Sequence, residues 1–363
     1  MKIAFFGSSL VSAYWNGAAT YYRGIIRGLH ERGHLITFYE PDAYDRQQHR
    51  DMDDPAWARV VVYAAEDEQG VRAALKQAAD ADLIVKTSGV GVFDDLLEAA
   101  VLDLKRPQNI VLFWDVDAPA TLDRVQHNAN DPFRALIPRY DSILTYGGGP
   151  AVVAAYRTLG ARGCYPIYNA VDPLTHYPTK PDTRFQGLCG FTGHRLPDRE
   201  ARVDEFFFRS AAALPDHQFV LGGNGWEEKV KPENVAYAGY VSPRDHNAFN
   251  STVRAVLNIN RDSMARYGFS PPTRVFEAAG AAACLITDAW EGIEEFLQPG
   301  REILVATNGE EVVAHLRGLS HERARQIGAA ARQRVLAQHT YQQRVMQLEK
   351  ILDGEIAGRA LYV

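Results

Sequence analysis

Short runs of consecutive apolar residues alternate along this chain with longer stretches whose apolar positions recur at helical spacing. Lys2–Phe6 predicts a strand. Tyr22, Ile25, Ile26 and Leu29 then fall at i, i+3, i+4 and i+7 of a helix over residues 20–32. Gly33 stops that helix, and residues 35–39 predict the second strand. The rhythm continues with strands at 83–85, 110–113 and 142–145, separated by Ala-rich helical segments. Apolar strands with intervening helices imply parallel sheets covered on both faces.

Around residues 172–187 the rhythm breaks. Pro173, Pro178 and Pro181 fall in a stretch without periodicity that predicts a linker. Beyond it, strands are predicted at 188–191, 219–221, 235–237, 256–259 and 285–287. Helices are predicted over 200–213, 274–283, 321–338 and 341–352. The economical architecture is α/β, with two Rossmann-like doubly wound parallel-sheet domains, residues 1–175 and 176–340. A ligand cleft is expected between their strand ends.

Composition narrows the class. A chain of 363 residues, 46% hydrophobic and 23% charged, is neither disordered nor fibrous. With 39 Lys+Arg against 45 Asp+Glu the net charge is −6, which makes nucleic acid an unexpected partner and disfavours anionic membranes. The apolar run at the N-terminus is too short for a secretory signal, and no stretch reaches the ~20 apolar residues of a membrane span. Cys164, Cys189 and Cys284 form no CxxC pair and are read as buried thiols in a reducing cytoplasm. No metal-binding motif stands out, so no metal is expected.

The most informative stretch is residues 268–280, GFSPPTRVFEAAG. Ser270 is a natural N-cap and Pro271 a natural first helical residue, so a helix is predicted to begin there. A helix N-terminus favours anions. The prolines lack N–H groups, so the donors are the amides of Thr273 and Arg274, reinforced by the Thr273 hydroxyl and the Arg274 guanidinium on a diphosphate. Glu277, a turn further in, suits the vicinal diol of a ribose. The plainer reading is a capped amphipathic helix with an Arg-Glu surface pair. Elsewhere, residues 187–195 predict a strand running into a loop at Gly193, His194 and Arg195. Asn260 and Arg261 follow a strand, where an arginine suits phosphate. Asp115 and Asp117 end a strand of the first domain. Carboxylates at that spacing can chelate Mg²⁺ or Mn²⁺, handle a proton, or cap the loop. Asn16-Gly17, after the first strand, lets backbone approach a ligand.

Residues 268–283 with 285–288, 292–296 and 299–303 resemble the C-terminal half of CgeB-type glycosyltransferases. These are relatives of the retaining family 4 enzymes with the two-domain GT-B fold. The tail at 330–345 resembles that group's closing helices, and residues 7–9, 16–17, 20–24 and 30–34 are similar to its opening. The resemblance implies that a final helix, 341–363, returns to the first domain. It also implies that Gly17, Gly193, His194, Arg195, Tyr240, Asn260, Arg261, Ser270, Thr273, Arg274 and Glu277 bind the donor, with Arg199 a weaker contact. Asp115 and Asp117 would act on the acceptor. Family 4 enzymes carry a second Glu eight residues before the ribose-binding one, where this chain has Phe269. Recognition of the donor sugar must therefore differ.

The implied activity is transfer of a sugar from a nucleotide-diphosphate sugar, UDP-sugar by default, to a small-molecule, glycan or other acceptor. Configuration would be retained, without cofactor or metal. A nucleotide-sugar epimerase of the same shape and a two-domain nucleotide- or sugar-binding protein are the alternatives.

Overall fold

The structure, a computed structural model, describes residues 1–360. Its contacts divide the chain into two compact units: Met1–Tyr168 together with the helix that starts at Tyr341, and Asn169–Thr340. The division falls after Tyr168 rather than at 175.

The first unit runs β1 (Lys2–Phe6), α1 (Ala19–Glu31), β2 (Leu35–Pro41), β3 (Arg59–Tyr63), α2 (Glu68–Ala78), β4 (Leu83–Thr87), α3 (Asp94–Asp103), β5 (Ile110–Asp115), α4 (Ala118–His127), α5 (Pro132–Leu136), β6 (Ser142–Thr145), α6 (Gly149–Thr158) and β7 (Cys164–Pro166). Its strands form one parallel sheet in the order β3-β2-β1-β4-β5-β6-β7. β4, β5 and β6 are buried along their whole length, as helices on both faces require. The order reverses between β1 and β4. Loops leaving such a reversal are where open α/β sheets bind ligands.

The second unit runs β8 (Cys189–Thr192), α7 (Pro197–Val203), α8 (Arg209–Ala212), β9 (Phe219–Gly222), β10 (Val235–Gly239), α9 (His246–Thr252), β11 (Ala255–Asn258), α10 (Asp262–Tyr267), α11 (Thr273–Gly280), β12 (Leu285–Asp288), β13 (Leu304–Ala306), α12 (Gly309–Gly318) and α13 (His321–Gln338). Its parallel sheet has the order β10-β9-β8-β11-β12-β13, reversing between β8 and β11. The helix expected over 200–213 is interrupted by a π-helical turn, Asp204–Phe208, that turns Phe206, Phe207 and Phe208 all into the core.

The proline-rich stretch is not a free linker. Inside the second unit it lies along α9: the Thr179 amide donates to Ser251 Oγ at 3.0 Å and the Asp182 amide to Thr252 Oγ1 at 2.8 Å. Asn247 donates to the Thr175 carbonyl at 2.8 Å. Without periodicity of its own, the strap takes its order from side chains of a neighbouring helix.

The last helix, α14 (Tyr341–Ala360), returns to the first unit as expected. It seats on α1 where glycines remove side chains. A Cβ at Gly24 would lie 2.2 Å from the Tyr341 ring, and one at Gly28 2.9 Å from Val345. Arg344 donates to the Tyr168 carbonyl at 3.1 Å, and Glu349 pairs with Arg32 at 2.5 Å and His34 at 3.1 Å.

Two measurements check this packing. Gly24→Ala overpacks the α1–α14 seam and is expected to cost about 1–3 kcal/mol. Gly17→Ala, with nothing within 4 Å of the added Cβ, should change stability by no more than about 0.5 kcal/mol; both are read by urea titration. Glu98 of α3 is 3% exposed, and burial holds its carboxyl up at about 7 despite Lys86 and Arg124 nearby. Because its folded pKa lies above its unfolded one, the folded state binds the extra proton. Stability should therefore fall as pH rises from about 4.5 to 7, and Glu98→Gln should flatten that slope.

Candidate functional site

The reversal in the second sheet gathers the chemistry. β8 ends at Thr192 and β11 at Asn258, and both side chains accept from Arg274 in the first turn of α11. Nε reaches Thr192 Oγ1 and Nη1 reaches Asn258 Oδ1, each at 3.4 Å. The guanidinium lies 5.2 Å above the centre of the fully buried Phe191 ring. Arg199, from α7, approaches the same ring at 5.7 Å. Its Nη2 donates to the His194 carbonyl at 2.5 Å, and its Nε is buried without a partner. Among the described residues neither guanidinium has a carboxylate within 4.0 Å, although those of Arg184, Arg195, Arg202, Arg209, Arg261 and Arg334 in the same unit do. Burial and the Arg274 charge push Arg199 down to about 9, and burial pushes Arg274 down to about 10. Both stay protonated at neutral pH. The site therefore brings together two positive charges that no carboxylate touches, with Glu277, Asp288 and Asp198 acting on them only from a distance.

A glycine clasp shapes its rim. The Gly193 amide donates to the Gly222 carbonyl at 2.9 Å, and the Gly193 carbonyl accepts from Trp226 Nε1 at 2.7 Å. Gly223 holds φ +115°, and a Cβ there would sit 2.2 Å from the Gly193 oxygen, so only glycine permits the approach. The Asn224 amide donates to His194 Nδ1 at 3.2 Å, and the Arg195 amide to the Asn224 carbonyl at 3.0 Å. Burial, with Arg199 and Arg274 beside it, lowers the His194 pKa, so the ring is neutral at pH 7. The exposed Tyr240 ring runs parallel to it within 4°, centroids 6.4 Å apart.

The other expected residues divide. Arg195 is exposed and held by Glu200 through two hydrogen bonds, 2.8 and 2.7 Å, and Arg261 pairs with Asp198 at 2.7 Å. Asn260 is buried, its amide bonded to Asp288 at 3.1 Å and its Nδ2 without a partner. Ser270 does not cap α11. Pro272 occupies the cap position, and the Ser270 hydroxyl turns back to the Gly268 carbonyl at 2.8 Å. The paired prolines hold the chain extended through Pro272, so the helix starts at Thr273 and its first amides are those of Thr273 and Arg274, the donors expected. Glu277 is buried, 3.6 Å from His176 Nε2 and 3.8 Å from His246 Nδ1. It is not a surface partner of Arg274. Arg199 outranks Arg195 and Arg261. The only sequence signal for it is position, one turn beyond the loop that follows β8.

In the first unit Asp115 is fully buried. Oδ1 accepts from Ser88 Oγ (2.7 Å), Thr121 Oγ1 (3.0 Å) and the Asp117 amide (3.0 Å), and Oδ2 accepts from Tyr156 at 2.5 Å. Burial raises its pKa. The residue ties the ends of β4 and β5 to α4 and α6. Asp117, part-buried, sits at the start of α4 without capping it. Asn16 knots the loop after β1, donating to the Ser9 and Ser12 carbonyls at 2.8 and 3.0 Å, and leaves Gly17 exposed.

Residues 199–350 match a family model described as glycosyl transferase-like. No curated protein matches the sequence. The chain is similar in structure to sucrose-phosphate synthase from Thermosynechococcus elongatus, with TM-score 0.69 and 14% identity over 99% of this chain and 100% of that one. It is similar to HepE of Anabaena in complex with UDP and glucose, with TM-score 0.69 and 14% identity over 98% and 100%. It is also similar to an alpha-glucosyltransferase in complex with UDP and a 13-mer DNA, with TM-score 0.70 and 12% identity over 98% and 99%. The fold is that of the two-domain GT-B glycosyltransferases, and the family match makes the protein an enzyme of the glycosyltransferase class.

An uncompensated charge pair has a two-sided signature. Arg199→Met should raise the melting temperature of the unliganded protein, by relieving repulsion. It should also weaken pyrophosphate binding by roughly tenfold or more, the loss of one charged hydrogen bond. Calorimetric titration and thermal melts of the same variant read both effects. Lower stability with unchanged affinity would assign Arg199 to the core.

Proposed function

We propose that the protein transfers a sugar, with retention and without a metal, from a nucleoside diphosphate sugar to a hydroxyl acceptor, UDP-sugar being the first donor to try. The observation that carries this reading is the Arg199–Arg274 pair over Phe191, at the strand reversal and beside the N-terminus of α11. A diphosphate supplies the negative charge this pocket lacks. Charge grows on the leaving diphosphate as the glycosidic bond breaks, and donors fixed in place beforehand stabilise it without reorganising.

The remaining residues take roles around that centre. Glu277 receives the ribose hydroxyls, while His194 and Tyr240 border the base. The amides of Thr273 and Arg274 add to the phosphate contacts, with Ser270, Asn260 and Arg261 shaping the pocket and Gly193 its rim. Gly17 is assigned to the donor on the resemblance. Asp117 orients the acceptor hydroxyl, and Asp115 acts through it, holding the loop that carries it. With front-face attack the leaving phosphate oxygen takes the acceptor proton, so no strong base is required of the protein. The CgeB-like resemblance favours this course.

The experiment is a thermal-shift screen of UDP, GDP, dTDP and ADP. A ligand at 100 times its Kd should stabilise the protein by about 2.7 kcal/mol. One nucleotide should stand out and lose its effect in Arg274→Ala; no shift from any of the four sinks the donor assignment. With the donor known, Asp117→Asn should cut transfer more than donor hydrolysis, and EDTA should leave turnover intact.

A further inference from the structure

Glu277 is flanked by two imidazoles that the donor chemistry does not use. His176 comes from the strap after β7, His246 opens α9, and Glu277 lies mid-way along α11. One ligand atom from each of the three falls within 4.8 Å of the others. We propose that His176, His246 and Glu277 form a binding site for a divalent transition-metal ion of the zinc type.

The spacing is the first argument. His176 Nε2 stands 3.6 Å and His246 Nδ1 3.8 Å from the carboxylate oxygens, longer than hydrogen bonds between such groups. Ligands about 2.0–2.2 Å from a tetrahedral zinc lie roughly 3.4 Å apart, so small side-chain shifts close the set around an ion. Two imidazoles and one glutamate are a ligand set that zinc uses with its fourth position open.

The second argument is orientation. His176 Nδ1 lies 2.9 Å from the Thr175 hydroxyl, which itself reaches the Asp172 carbonyl at 3.3 Å. If that hydroxyl donates to the carbonyl, it accepts from Nδ1–H, and the Nε2 lone pair faces Glu277. Metal-bound histidines are held by an outer hydrogen bond of this kind. Gly280, one turn after Glu277, admits the strap: a Cβ there would lie 3.0 Å from the His176 carbonyl. His176 is therefore fixed against α11 by backbone packing.

One carboxylate cannot serve an ion and a ribose at once, so zinc and sugar nucleotide compete for Glu277. The ion stands apart from the transfer step and antagonises donor binding. The competition rests on the donor reading; the metal site does not, since it is measured with no nucleotide present.

The test uses the full-length protein stripped with chelator and titrated with ZnCl₂ in a calorimeter. One equivalent should bind, and EDTA should reverse the rise in melting temperature it causes. His176→Ala and His246→Ala should each weaken binding at least about tenfold while melting like the parent in EDTA. If His176→Ala does not fold, the partly exposed His246→Ala and the Co²⁺ absorption spectrum of the parent decide, a tetrahedral spectrum being expected. Affinity unchanged in the variants, or an octahedral aqua-ion spectrum, overturns the site. Zinc bound without any nucleotide effect supports this site and counts against the donor assignment alone.

Discussion

Like charges held together in a part-buried pocket repel, and the second unit is organised around keeping two of them in place. Phe191 offers both guanidiniums one aromatic face, and the ends of β8 and β11 supply neutral oxygens instead of carboxylates. Neighbouring arginines are neutralised: Arg195 by Glu200, Arg202 by Asp288, Arg261 by Asp198. Acids are thus close at hand, yet none is within ion-pairing distance of Arg199 or Arg274. Elsewhere that arrangement would be a defect. Beside a helix N-terminus, at a strand reversal, it is the socket that the proposed diphosphate would fill.

Geometry around the socket is set by backbone as much as by side chains. The Gly193–Gly223 approach locks the loop after β8 to the loop after β9, and Trp226 closes it from beneath through the Gly193 carbonyl. The paired prolines before Thr273 fix where α11 starts and so where Arg274 and Glu277 project. The first unit uses a different device. The buried carboxylate of Asp115 gathers four donors and holds the loop that presents Asp117. Proline, glycine and a buried acid each give a side chain a fixed bearing.

Much of this was legible in the sequence because strand cores and helical faces are periodic. β1, β6 and α13 fall where the pattern places them. β7 and β13, three residues each, are too short to show a period, and β3 is half exposed. The π-helical turn was invisible, since three adjacent phenylalanines fit neither period. The motif at 268–280 showed that a helix begins there and carries Arg274 and Glu277, but not which residue caps. Capping is decided by where the chain stops being extended, and the second proline moved that point. Charges were harder still. Composition reveals arginines but not their partners, and partners separate Arg199 and Arg274 from Arg195 and Arg261. The Pro-rich strap misled because its order comes from α9, far away in sequence.

The first unit is discontinuous, since α14, which follows the second unit in sequence, belongs to it. A ribosome delivers Gly24 and Gly28 before the second unit and the residues that fill their notch, Tyr341 and Val345, only after it. The second unit emerges between them and has every element it needs before α14 is made. Assembly should therefore run against the order of the sequence, with the C-terminal sheet complete while the N-terminal one still exposes the groove on α1. Truncation near the C-terminus would accordingly injure the unit that was made first.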